Sequence, residues 1–459
     1  MDLIIAFDDY LTNGNYTSQS QIILPGLPPR SSGPFSFACG RSIIRHCAFR
    51  ATHPQRRGAD SDKGKRQSTP MTHLKPLFLL DPEVIFLNHG SFGATPRPVF
   101  AAYQEWQRRL ERQPVYFLVE ELIGHLAAAR QALGAYLHAD ADDLVYVPNA
   151  TFALNIVARS LDLRAGDEVL TTDHEYGACD NTWRFLSQKR GFAYVAQPVP
   201  LPVVSATAVA DQFWQGITPR TKVIFLSHIT SSTALTFPVA DICRRARAAG
   251  ILTVIDGAHA PGQIPLDMAA IGADFYFGNA HKWLCSPKGA AFLYARRDKQ
   301  PLLEPLVVGW GWGENRPWTY GSNFLDDQQW LGTNDLSAYL AVPAAIAFQA
   351  EHNWTAVRQQ CHLLLQETGR RIGALTGLPP IYPDEAGFYH QMASIPLPPL
   401  SDAKAFKTHL YQTYHLEVPI VEWNGRPFIR VSIQGYNTPA DADALLATLA
   451  EALPKFVAG

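Results

Sequence analysis

The stretch DFYFGNAHKWLCSPKGAAFLYARRD, residues 274–298, sets Lys282 directly after His281, between an apolar run and a turn marked by Pro287 and Gly289. An earlier apolar run, ILTVIDGAHA, carries Asp256 at its end. A carboxylate at the end of a buried strand either faces a cation or accepts several backbone hydrogen bonds. Taken alone, Asp256 reads as a strand cap. Ligands of open α/β sheets gather at the carboxyl ends of the strands, however, and Lys282 emerges at a comparable position just beyond the next run. A buried carboxylate followed on a neighbouring strand by a partly buried lysine is the pair that pyridoxal phosphate requires. The lysine forms the Schiff base, and the carboxylate keeps the pyridine nitrogen protonated so that the ring draws electrons. A desolvated lysine near other cations also has a lowered pKa, which makes its amine nucleophilic and able to move protons at Cα.

The phosphate of such a cofactor needs donors as well. VYVPNATFALNIV passes from a β-branched run into a helical pattern, with Asn149, Ala150 and Thr151 at the junction. Backbone amides and a hydroxyl at a helix start favour an anion. By itself the NAT triplet reads equally as a helix cap; in order with Asp256 and Lys282 it reads as a phosphate site.

The elements that would position these residues alternate. PRPVFAAYQEWQRRLERQP and EELIGHLAAARQALGAYL have helical spacing, with Pro96 or Pro98 in the first turn. KVIFLSH and ILTVID are apolar on both alternations, the mark of strands buried on both faces, and the helical patterns between them imply parallel connections. The expected fold is therefore α/β, a doubly wound and mostly parallel sheet. A long helix through AVRQQCHLLLQETGRRIGALTG, short strands in HQMASIPLP, LEVPIVEW and FIRVSIQ, and a last helix in PADADALLATLAEAL predict a smaller C-terminal α+β domain. The expected division is a disordered extension over 1–70, an N-terminal segment with the large domain over 71–335, and the small domain over 336–459. Residues 1–70 are rich in Pro, Gly, Ser, Arg and Lys without lasting periodicity, so they lack the apolar area to offset ordering. Asp2, Asp8 and Asp9 in the opening argue against a targeting peptide, and Met71 would serve as a natural start.

Composition narrows the partners. The 459 residues are 47% hydrophobic and 17% charged, with a formal net charge of −2. That balance gives no reason to expect nucleic acid or an anionic membrane, and no apolar run has the length to span a bilayer. Six cysteines are thinly scattered with no CxxC pair, which fits reduced thiols in a cytoplasmic protein.

The ordered set NATFALN, DHEYGA, DGAHAPG, NAHKWLCSPKGAAFLY, GTND and IRVSIQGYN resembles the class V aminotransferase family of fold-type I pyridoxal phosphate enzymes. FLNHGSFGATPRPV and VVGWGWGE are most similar to its isopenicillin N epimerase-like branch. The resemblance runs from about Leu77 to Leu453. It implies Lys282 as the Schiff-base lysine, Asp256 on the pyridine nitrogen, His259 on the ring 3-oxygen and Tyr176 stacked on the ring face. It also implies Ala150, Thr151, Asn279 and His281 as phosphate ligands, with Thr333 reaching the phosphate of a partner subunit in a homodimer. Arg430 matches the arginine that grips a substrate α-carboxylate, a planar pairing that lysine cannot reproduce. Asn88, His89, Trp310 and Trp312 are candidates for the substrate cleft or for packing, and Lys288 for a turn near the surface.

The same resemblance implies an amino acid or amino-acid-derived substrate and leaves the reaction open. HLEVPIVEWNGRPFIR has no cysteine ahead of Arg430, unlike the persulfide-forming desulfurases. Removal of the α-proton by Lys282 leads to an epimer if the opposite face is reprotonated, and to a lyase product if a group on Cβ leaves. Isopenicillin N epimerase-like chemistry is the first expectation and a C–S lyase, of cysteine or hercynylcysteine sulfoxide type, the second. Transamination remains open, and a non-catalytic pyridoxal phosphate-binding regulator is the reading from another class, against which the intact set of Lys282, Asp256 and Arg430 counts.

Overall fold

Seven strands pair into one central sheet, the inner ones too uniformly hydrophobic to leave a face in water and the edge strand Ala193–Gln197 exposed or half-buried. The computed structural model describes residues 74–384 and 387–458; the extension expected over residues 1–70 lies outside them. Counting strands along the chain from β1 (Ile85–Phe86), the central sheet contains β2 (Leu144–Val147), β3 (Glu168–Thr172), β4 (Ala193–Gln197), β5 (Thr221–Ser227), β6 (Leu252–Asp256), β7 (Phe275–Asn279) and β8 (Ala291–Ala295). Their order is β2-β8-β7-β6-β5-β3-β4. Neighbours are parallel from β7 through to β4, whereas β8 runs antiparallel to both β7 and β2. Every residue of β2, β3, β7 and β8 is buried, as expected for strands covered by helices on both faces. The helices Ala150–Ser160, Gly177–Arg190 and Val239–Ala248 are among those connecting the strands.

The smaller C-terminal domain includes the long helix Trp354–Thr376, which packs on β9 (Met392–Pro396) and on the last helix, Pro439–Ala452. Its antiparallel sheet has the order β11 (Ile420–Trp423), β12 (Arg426–Ser432), β9 (Met392–Pro396). β1 pairs in parallel with β10 (Leu416–Glu417), so the residues just before the cleft are held by the C-terminal part of the chain. The Asn437 side chain adds a bond to the Phe86 carbonyl at 3.0 Å. Among the described residues no helix is long and apolar enough to cross a membrane.

Two registers fix the functional end of the sheet. Ser227 of β5 and Phe277 of β7 both stand level with Asp256 of β6. The loops leaving these strands therefore open on the same edge, and Lys282 follows three residues beyond the end of β7.

Candidate active site

A cleft at the carboxyl ends of β5, β6 and β7 brings Lys282, Asp256, His259, Ala150, Thr151, Tyr176, Asn279 and His281 together. Asp256 is buried. Its Oδ1 accepts from the Ala258 N–H at 2.7 Å and its Oδ2 from the Cys179 thiol at 3.4 Å. Burial raises its pKa, opposed by the Ala258 bond and by the charge of Lys282. An ionised carboxylate held here without an ion pair is incompletely compensated, and a protonated ring nitrogen would complete it.

Lys282 Nζ lies 3.2 Å from His259 Nε2. Desolvation first, and the charge of Arg430 second, bring its pKa down from 10.5 to about 8. The lysine thus reaches its neutral, nucleophilic form near physiological pH. His259 is buried, and burial together with Lys282, Arg430 and His281 holds its pKa well below 6.5.

At the helix start Ala150–Ser160, Asn149 Oδ1 accepts from the Phe152 amide at 2.9 Å. Asn279 Oδ1 accepts from the Ala150 amide at 3.0 Å, tying the end of β7 to the helix. His281 Nδ1 donates to the Ala290 carbonyl at 3.2 Å. Burial and the nearby lysines bring its pKa to about 4; an anion beside it would act in the opposite sense. Tyr176 precedes the helix Gly177–Arg190 and is 48% exposed, as an aromatic wall of a cleft should be.

Arg430, on β12, enters from the small domain. Nη1 donates to the Ser231 carbonyl at 2.7 Å and to its hydroxyl at 3.1 Å, and Nη2 donates to Ser91 Oγ at 2.9 Å. Nε is buried with no partner among the described residues. Burial lowers the guanidinium pKa to about 10. A buried cation bonded only to neutral groups, with one N–H orphaned, is a site prepared for an anion. The hairpin that carries it is fastened to the Tyr176 loop: Trp423 stacks on His174 at 4.4 Å and donates to the Asp173 carbonyl at 2.8 Å.

Sequence expectation and structure part at several positions. His89, a candidate for the substrate cleft, is wholly buried behind it; its ring reaches the Lys282 carbonyl and the Tyr436 hydroxyl. Asn88 is also buried; it donates to Glu417 Oε1 at 2.8 Å and accepts from Ser91 Oγ at 2.6 Å, which places it behind Ser91 rather than against the cofactor cleft. Trp310, Trp312 and Thr333 lie together on a separate, exposed surface and do not line the Lys282 cleft of their own chain. Lys288 is exposed and donates to the Gly93 carbonyl at 3.0 Å. Gly93 has φ +68, and a Cβ there would collide with the His281 carbonyl, so only glycine lets this segment cross the Lys282 turn.

Several cleft residues escaped sequence reasoning. Ser91, Phe92, Ile229, Ser231 and Cys179 line the cleft, brought there by contacts that no local pattern announces. Glu175 sits just behind it, with its carboxyl bonded to Thr172 Oγ1 at 2.6 Å and to Ser227 N and Oγ at 2.9 and 2.5 Å. An acidic residue in DHEYGA, directly after an apolar strand, was the available signal.

The family model of class-V aminotransferases matches residues 85–445. The isopenicillin N epimerase of Amycolatopsis lactamdurans is 36% identical over 382 residues, covering 81% of this chain and 96% of that one. The L-cysteine desulfhydrase of Arabidopsis thaliana is 28% identical over 403 residues, covering 80% and 87%. Among solved structures, the apo cysteine desulfurase of Thermococcus onnurineus superposes with a TM-score of 0.72 at 19% identity over 83% of this chain and 98% of its own, a likeness of fold. The chain belongs to the class-V aminotransferase family and is a pyridoxal 5′-phosphate enzyme.

Proposed function

We propose that the cleft acts at Cα of an amino acid or amino-acid-derived substrate and that its product is the epimer. The observation that carries this reading is the convergence, among the described residues, of a depressed lysine, a buried carboxylate without an ion pair and a buried arginine without an anion. When bound, pyridoxal phosphate supplies the electron sink that makes a Cα–H bond acidic. Asp256 would hold the pyridine nitrogen protonated. Ala150, Thr151, Asn279 and His281 would take the phosphate, and Tyr176 would cover one ring face. Arg430 would orient the substrate through its α-carboxylate in a bidentate pairing. Lys282 would accept the Cα proton, its amine being neutral near pH 8.

The relative named above at 36% identity carries the epimerase name, which favours reprotonation over loss of a Cβ group. Persulfide chemistry is disfavoured, since Cys243, Cys285 and Cys361 are buried outside the cleft lining and Cys179, which reaches it, donates to Asp256 with its thiol pKa raised by burial. Unpaired thiols are in keeping with a cytoplasmic protein.

We also propose a homodimer. Val308, Trp310 and Trp312 are 65%, 53% and 61% exposed, a cost in water that a second copy would remove. Thr333 shares this surface, from which it would reach the neighbouring phosphate.

The test is a substrate screen in deuterium oxide with the holoenzyme. Exchange of the α-proton with interconversion of both stereoisomers and no released Cβ fragment supports the epimerase. Release of a thiol or sulfide with a keto acid would instead establish the lyase.

A further inference from the structure

We infer that Trp283 fixes the tautomer of His259, locking it as an Nε2–H donor and making it a hydrogen-bonding group that neither gains nor gives up a proton during turnover. Trp283 Nε1 lies 3.3 Å from His259 Nδ1, and Lys282 Nζ lies 3.2 Å from Nε2 on the other side of the ring. Consecutive residues thus grip one imidazole by its two nitrogens. Indole has a donor and no acceptor. Nδ1 must therefore offer a lone pair, and in the neutral ring the proton then sits on Nε2. That N–H points at the Lys282 amine, which accepts it only when it is itself neutral.

The geometry cannot relax by moving the indole. Trp283 is fully buried, its carbonyl accepts from Gln349 Nε2 at 2.9 Å, and its ring packs at 4.9 Å from that of His89. Gly262, at φ +89, passes so close that a Cβ there would overlap the Trp283 backbone. The imidazole backbone is fastened too, since Gln263 Nε2 donates to the His259 carbonyl at 2.8 Å. An imidazolium would turn an N–H toward the indole N–H. It would also face Lys282, Arg430 and His281, which already oppose its charge.

Two consequences follow. The permanent Nε2–H suits an oxygen anion such as the 3-oxygen of the cofactor ring, a role that rests on the reading of the cleft proposed above. Proton traffic at Cα falls to Lys282 on its own face, and the opposite face needs a group other than His259. Trp283 acts through His259 and is a positioning residue.

The tautomer is measured on cofactor-free protein, so its failure and failure of the proposed reaction are distinguishable. Histidine-selective 15N labelling, with His259→Asn to identify the resonances, should show Nδ1 unprotonated and Nε2 protonated across the neutral range. In Trp283→Phe the pair should shift toward a tautomer average. Released from the lock, Nε2 can accept from the Lys282 ammonium, and the pH at which the amine becomes reactive toward an aldehyde should rise by about one unit. The other groups acting on that amine, Arg430, Asp256 and Cys179, are untouched by the change. A protonated Nδ1 in the wild type overturns the inference, as does a folded Trp283→Phe whose His259 tautomer and Lys282 pH profile are unchanged. If Trp283→Phe does not fold, the wild-type spectrum decides.

Discussion

His89 Nε2 lies 3.1 Å from the backbone carbonyl of Lys282, while its Nδ1 faces the Tyr436 hydroxyl at 3.0 Å. The carbonyl has no proton, so Nε2 donates and Nδ1 accepts from the phenol. Burial brings the ring pKa down to about 3, which keeps it neutral throughout this arrangement. His89 thus supports the turn carrying the reactive lysine from behind. His89→Ala strands two buried groups, at roughly 1–3 kcal/mol each. Thermal unfolding of the apoenzyme should show a clear fall in Tm, in contrast to the small effect expected of an exposed substrate-cleft residue.

Lys282→Ala should abolish the visible absorbance of the lysine–cofactor adduct and leave the cofactor held through its phosphate contacts alone. Borohydride reduction of the wild type followed by peptide mapping checks the assignment: the pyridoxyl label is expected on Lys282 and on no other lysine.

Arg430 couples function to a cost in stability. Arg430→Met removes a buried cation that has only neutral partners, and replacing such a charge by an apolar chain of similar volume is often stabilising. The substrate-free protein should melt a few degrees higher, with substrate affinity lost. Arg430→Lys keeps the charge and loses the planar fork, so KM should rise about tenfold or more. Calorimetric melting and steady-state kinetics read the two effects separately.

Glu175 provides a pH test. Burial first, and the charges of Asp256 and Asp180 last, raise its pKa from 4.5 to about 8, against the bonds from Ser227 and Thr172. Unfolded, the carboxyl ionises near 4.5; folded, it keeps its proton to about 8. Across that window the folded state binds the extra proton, so the contribution to stability falls as pH rises, by about 1.4 kcal/mol per unit at most. Glu175→Gln retains a donor toward Thr172 and an acceptor for Ser227. Urea unfolding at pH ~5 and ~8 should show a flatter pH dependence in the variant.

Trp310→Glu with Trp312→Glu should yield a monomer by sedimentation, with weakened cofactor affinity. Thr333→Ala alone should cost on the order of one hydrogen bond to a charged group, ~1.5–3 kcal/mol. A dimer that survives the double substitution would place the subunit contact elsewhere.

The central layer was legible because strands buried on both faces leave a compositional mark: KVIFLSH and ILTVID are apolar at every other position and in between. Asp256 and Lys282 were legible as cleft residues because sheet topology delivers strand ends to one edge, and Asn279 through the family resemblance alone. What escaped has a common physical origin. For His89 and Asn88 the sequence left cleft and packing both open, because which way they face depends on β1 pairing with β10 and on Tyr436 and Glu417, more than 300 residues away in the chain. The grip of Trp283 on His259 and the placement of Ser91 beside Arg430 are likewise made only by tertiary contact. Sequence periodicity reports the face an element buries, and says nothing of which distant side chain will meet it.

The pairing of β1 with β10 has a consequence for biosynthesis. Ser91 and Arg430 bond to each other across 339 residues. At the usual elongation rate of about 5–20 residues per second, roughly 20–70 seconds pass between the appearance of the first and the second. During that time the segment that backs the lysine turn has no strand to join, and the central sheet must fold with its ligand edge uncovered. The residues that would hold the cofactor, from Ala150 to Lys282, are made well before Arg430, so translation products truncated ahead of β10 should lack the substrate grip first.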